Sequence, residues 1–265
     1  MNFKTPSSLA ACLCALCLPA CTLKERRTDC PAFLTVRCEK PFGTGGKALV
    51  SIRHAEQGTV FQQLVPCAEL EGAGCEIAVP RGTLTVSAIA GYGHMVFDED
   101  IIRAENGRQA DSLYAFVQTE EVRGDAGEVC GSPEKEFSTV YLTVIGGQEG
   151  QLFILNGIWG QVDIFTLDAA EAPYACPLEG AQAEGSTLYR FRLQRQGDYS
   201  LKLKMYDASR QLLQTLPLGE MMRQAWYDAR TRPLDDVHVL LDLNKAVIHI
   251  SVGDWGGSSF PVTGI

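Results

Sequence analysis

Hydrophobic and polar residues alternate with a period of two along most of this chain, and helical periodicity is nearly absent. Leu34, Val36 and Cys38 alternate with Thr35 and Arg37, and Ala48, Val50 and Ile52 with Ser51 and Arg53. Cys75, Ile77 and Val79 make a third such run. After the turn Pro80-Arg81-Gly82 the pattern resumes, with Leu84, Val86 and Ala88 on the inward face. Leu113 to Gln118 and Phe137 to Ile145 read as further strands, and Tyr199 to Met205 alternates cleanly between an apolar and a wet face. Leu152 to Leu155 runs into Asn156-Gly157, a pair that tolerates the positive φ angles of a type I′ turn, so a tight hairpin is predicted there. Val237 to Leu243 and Ala246 to Val252 predict another hairpin about Asn244-Lys245, with Leu240 opposite His249. The single helical candidate is short, near Leu218 to Tyr227. Many short strands separated by turn residues predict an all-β fold of antiparallel sandwiches.

The alternation breaks between Glu120 and Glu136. That segment contains Gly124, Gly127, Gly131 and Pro133 among acidic residues, with little to bury. It reads as a domain boundary, or else as one long loop. Two sandwiches fit the 265 residues better than one. The expected organisation is a signal peptide over 1–20, a tether over 21–29, an N-terminal sandwich over 30–128 and a C-terminal sandwich over 129–265.

The first residues change the picture by placing the chain outside the cell. Lys4 precedes the apolar run Leu9 to Ala20, which at about 12 residues is too short for a membrane-spanning helix and suits an export signal. Leu18-Pro19-Ala20-Cys21 resembles a bacterial lipobox, which implies cleavage before Cys21 and lipid on its sulfur and amine. Residues 22–29 are polar and read as a flexible tether. The formal net charge of −9 leaves no electrostatic footprint for nucleic acid.

Of the ten cysteines, Cys12, Cys14 and Cys17 leave with the signal and Cys21 carries lipid. Cys30, Cys38, Cys67, Cys75, Cys130 and Cys176 remain, an even number that favours disulfides in an exported chain. Cys67 and Cys75 flank a turn-rich loop and are the expected pair. No zinc-knuckle spacing, HExxH, GxSxG or dinucleotide-binding glycine pattern is present, and Gly43-Thr44-Gly45-Gly46-Lys47 lacks both the first glycine and the hydroxyl residue of a phosphate loop. His238, His249 and Asp242 share one strand face, which reads as a wet sheet surface before it reads as a zinc site. Asp98-Glu99-Asp100 lacks the spacing of a calcium loop and reads as a solvated loop. No catalytic residue, cofactor or metal is expected. Trp159, Trp226 and Trp255 are read as core residues, with sugar stacking as the alternative.

Several stretches in their order resemble one known family. Lys24-Glu25-Arg26-Arg27-Thr28-Asp29-Cys30-Pro31 before the first strand, Val79-Pro80-Arg81-Gly82-Thr83-Leu84-Thr85-Val86, Pro217-Leu218-Gly219-Glu220, Leu234-Asp235-Asp236-Val237-His238-Val239 and Ile248 to Trp255 are similar to the Bacteroidales fimbrial anchor and assembly lipoproteins of the FimB/Mfa type. The resemblance implies two tandem transthyretin-like sandwiches, an outer-membrane lipid anchor at Cys21, no catalysis, and assembly into an adhesive fimbrium with fimbrial subunits as partners. Strand addition to an open sheet edge is the physical route to such a contact. The alternative is a glycan-binding surface lipoprotein.

Overall fold

The computed structural model describes residues 30–253 and 257–262. The signal, Cys21, the tether and Trp255 therefore lie outside the described residues. The first half contains ten strands: β1 (Ala32–Cys38), β2 (Lys47–His54), β3 (Gly58–Pro66), β4 (Cys75–Val79), β5 (Gly82–Ala90), β6 (Val96–Asp98), β7 (Ile101–Arg103), β8 (Tyr114–Val122), β9 (Ala126–Gly131) and β10 (Glu134–Lys135), with the single turn of helix α1 (Cys67–Leu70) after β3. One sheet has the order β4-β1-β9 and the other β10-β8-β5-β2-β3. The alternation found in the sequence aims Leu34 and Val36 of the first sheet at Val50, Ile52, Leu84 and Val86 of the second, and all of these are buried in one core. The result is a β-sandwich.

The second half holds β11 (Phe137–Ile145), β12 (Leu152–Gly157), β13 (Gln161–Asp163), β14 (Ala169–Ala170), β15 (Tyr174–Pro177), β16 (Gly180–Ala183), β17 (Ser186–Gln194), β18 (Lys202–Tyr206), β19 (Leu212–Leu216), β20 (Val237–Asp242), β21 (Val247–Val252) and β22 (Ser258–Pro261). Between β19 and β20 lies α2 (Leu218–Gln224), which buries Leu218 and Met222 against the core and ends before Trp226, a residue at positive φ. The sheets run β16-β17-β11-β20-β21-β22 and β15-β12-β18-β19. Phe153, Leu155, Leu203 and Met205 from one face Val140, Leu142, Phe191, Val239 and Ile250 from the other.

The two sandwiches repeat one strand plan. The neighbours and directions of β1, β2, β3, β4, β5, β8 and β9 are those of β11, β12, β15, β17, β18, β19 and β20. Each plan contains one parallel pair, β1–β9 and β11–β20, in otherwise antiparallel sheets. A parallel pair joins strands far apart in the chain, which local periodicity does not register.

Two expectations change. The segment expected to be a polar boundary is mostly strand. Val122 ends β8, and β9 lies parallel to β1 with Val129 fully buried, so the first sandwich extends through Gly131 and a division at 128/129 would cut a strand. Its glycines and acids misled because only one face of β9 needs apolar side chains. Asn156-Gly157 makes no turn either. Both residues pair within β12, Asn156 with Ala175 and Lys202, and Gly157 with Tyr174. A side chain at Gly157 would collide with the Tyr174 ring, so this glycine serves a close approach rather than a positive φ.

The sandwiches are stitched together. A small sheet of order β14-β13-β7-β6 takes two strands from each half, with Ile102 of β7 opposite Val162 of β13. Beneath it Ile89, Ile102, Leu113, Ile164, Phe165 and Leu167 form a third core. Hence β2 and much of β5 are buried on both faces, and Ser51 and Ser87 are buried with them. Glu136 braces the junction. Its N–H donates to Leu113 O at 2.9 Å. Its carboxylate accepts from Arg195 Nη2 at 2.7 Å and Nε at 3.1 Å, while Arg195 Nη1 donates to Ala229 O at 2.6 Å. Burial pushes the Glu136 carboxyl up, and the Arg195 and Arg232 guanidinium groups pull the other way.

Candidate interaction surfaces

The chemistry-bearing side chains are dispersed. His54 is buried, accepting the N–H groups of Glu56 and Gln57 on Nδ1 at 3.1 and 3.3 Å. His238 stacks on Tyr141 with 4.8 Å between ring centroids, and His249 shares a hydrogen bond of 2.9 Å with Ser259. Leu240 does face His249 across the β20–β21 hairpin. Asp242 instead accepts the N–H groups of Asn244 and Lys245 at 3.1 Å each, which holds the turn. Of the acidic trio, Asp100 accepts from Arg53 at 2.5 Å. Among the described residues no group of three or more His, Cys, Asp and Glu is placed to hold a metal ion.

The six cysteines among the described residues stand unpaired. Cys67 is buried at the start of α1 and Cys75 is half-buried at the start of β4, and the bridge expected between them is not formed. Cys67 lies within the core, and Cys75 packs against its margin beside Glu69, with the helical turn and the Gly74 bend between them. Burial pushes the Cys38 thiol up to about 12 and that of Cys176 to about 11, which keeps both as protonated core residues. The tryptophans divide. Trp159 is half-buried, whereas Trp226 is 80% exposed, contrary to the expectation that it packs in the core. Its placement follows from the end of α2, where the chain turns at positive φ and the indole falls outside the apolar stripe.

Surfaces suited to another chain are the sheet edges. Strand β15, the edge of its sheet, is covered by a strap from the first half: Gly107 N donates to Ala175 O at 2.8 Å and Ala175 N donates to Asn106 Oδ1 at 3.0 Å. Its counterpart β3 pairs with β2 alone among the described residues. It is nine residues long, GTVFQQLVP, with no charged side chain and with Leu64 52% exposed. Natural edge strands ordinarily carry charge, an inner proline or a cover that prevents pairing. In β3 the safeguards are a bulge opposite Ile52 and Arg53 at one end and Pro66 at the other, so the middle is open. The edges β9 of the first sandwich and β20 of the second differ in the same way, because β21 and β22 extend the sheet past β20. Sequence reading found the strands but not which edges stay open; the absence of charge from 58 to 66 was the available signal.

No protein-family model and no curated protein matches the sequence. Solved structures do. The fimbrial anchor protein Mfa2 from Porphyromonas gingivalis superposes with a TM-score of 0.64 at 13% identity, covering 85% of this chain and 98% of that one. The chain has the fold of Bacteroidales fimbrial anchor proteins. A candidate polysaccharide-binding protein from Bacteroides thetaiotaomicron superposes at 0.62, with 11% identity over 89% of this chain and 99% of that one. A candidate adhesin from the same species superposes at 0.59, with 12% identity over 88% and 99%. At such identities the shared property is the fold.

Proposed function

We propose that this protein is a non-enzymatic outer-membrane lipoprotein, held by lipid on Cys21, that works as an anchor or assembly subunit of an adhesive fimbrium. Its partner is a fimbrial subunit that adds an extended strand to the edge of β3. The observation that carries the reading is that edge, long, uncharged and without a main-chain partner on its outer side among the described residues, where the equivalent edge of the other sandwich is strapped. Main-chain hydrogen bonds along β3 supply affinity, and the side chains on alternate faces supply register. The lipobox and short polar tether support a position at the membrane, and the printed description of Mfa2 as a fimbrial anchor protein supports the class of partner. Two tandem domains meeting after Gly131 belong to the same proposal. Deletion of the protein is expected to change fimbrial length, retention or adhesion, and the Cys21→Ala chain is expected to leave the membrane fraction. Normal fimbriae in the deletion strain, with no binding of purified protein to any fimbrial subunit, would overturn the reading.

A further inference from the structure

The outer face of the sheet β15-β12-β18-β19 carries two lysines, Lys202 and Lys204, two residues apart on β18 and so on the same side. Their cross-strand neighbours are Asn156 for Lys202, and Ile154 and Thr215 for Lys204. None of these is acidic, and neither lysine enters an ion pair among the described residues. Adjacent like charges on one sheet face repel. Here they stand uncompensated in a chain whose 32 acidic residues outnumber 23 basic ones.

Both lysines line a cleft of about 470 Å³, together with Asn106, Asn156, Tyr174 and Ser200. Asn156 Oδ1 is shielded from water and has no hydrogen-bond partner among the described residues, while Ser200, whose N–H donates to Asp198 at 2.8 Å, presents its hydroxyl beside it. Such an oxygen costs free energy until something donates to it. Asn106 comes from the strap of the first sandwich, where accepting the Ala175 N–H fixes its amide and leaves Nδ2 available at the cleft. Ile158, 39% exposed, and Pro173 add an apolar wall. The cleft falls within the size range of small-ligand sites.

We infer that this cleft binds a carboxylated sugar residue of an acidic glycan. Lys202 and Lys204 meet the carboxylate, Asn156, Ser200 and Asn106 exchange hydrogen bonds with ring hydroxyls, and Ile158 and Pro173 lie against the C–H face. The chemistry is a cationic pair beside neutral amides and a hydroxyl, which suits a polyhydroxylated anion better than a bare one. The site is separate from the β3 edge, and its failure would leave the strand-addition reading standing.

The experiment is titration calorimetry of the full-length protein in detergent with trigalacturonate and with sialyllactose, and with maltotriose and lactose as neutral counterparts. Binding of either acidic sugar is expected, at least about tenfold tighter than that of its neutral counterpart. The double variant Lys202→Gln/Lys204→Gln should lose about tenfold or more of that affinity with an unchanged melting temperature. Asn156→Ala should weaken acidic and neutral sugars alike. Equal binding of neutral sugars, binding undiminished in the double variant, or no binding of either acidic sugar overturns the inference. So does binding of poly-glutamate in their place, which would identify an acidic peptide as the ligand.

Discussion

The two sandwiches share a strand plan and differ at their edges. In the second, β21 and β22 continue the sheet beyond β20, and the 104–109 strap covers β15. In the first, the equivalent strands β9 and β3 have no such neighbour among the described residues. The same topology has thus been finished in one copy and left open in the other. The first copy compensates through stability borrowed from elsewhere. Its five-stranded sheet is covered on the outer face by the third core, so β2 and much of β5 are buried on both sides, while β3 at the margin is not. An open edge can be kept safely when the sheet behind it is rigid, because the partner then pays little ordering entropy.

The largest effect should come from undoing the closure of the second sandwich. Truncation after Lys245 removes Ile248, Ile250, Val252 and Val262 from the core, each fully or nearly buried. At about 1.5–3 kcal/mol per side chain the loss rivals a whole domain's stability, so circular dichroism should show the second half unfolded. Survival of a cooperative transition would mean that the closing strands matter less than the shared plan.

Next is the brace at the junction. Glu136→Ala strands the Arg195 guanidinium without its carboxylate and should cost about 3–5 kcal/mol in denaturant unfolding. A value below about 1 kcal/mol would show that the carbonyls of Ala229 and Thr231 alone satisfy Arg195.

Ile102→Ala in the third core, where the side chain is fully buried, should cost about 2–5 kcal/mol. If the outer cover is what stiffens the open sandwich, hydrogen exchange should rise along β2 and β5 and much less along β12 and β18. Equal increases in both would remove the asymmetry on which the comparison rests.

The smallest effect on stability should be the most telling. Leu64→Lys puts a charge on the exposed edge strand and should change stability by no more than about 0.5 kcal/mol. It should nevertheless weaken capture of a fimbrial subunit, whereas Leu240→Lys, on the face of a closed sheet, should not. Equal effects of the two substitutions would sink the assignment of β3 as the docking edge.

Alternation made most strands legible, including β1, β11 and the β20–β21 hairpin with its register, because a half-buried strand writes its buried face into the sequence. The short helix expected near Leu218 to Tyr227 was legible too, although it ends at Gln224. Residues 120–136 and Asn156-Gly157 were not. Glycine and polar residues mean a turn by local rules, yet in β9 and β12 they mark strands against which another chain segment lies closely. The cleft was hidden for the same kind of reason, since Asn106, Asn156, Tyr174 and Lys202 come from four separate stretches.

By itself the sequence determined the strand class, the export and lipid signals as expectations, and the acidic character of the chain, all of them local or compositional properties. Tertiary structure alone decided the rest. The parallel pairs β1–β9 and β11–β20, the small sheet shared by both halves, and the choice of which edge is strapped and which is open depend on segments distant in sequence meeting in space. That meeting is set by how whole apolar faces bury one another, a property that no single stretch of residues carries.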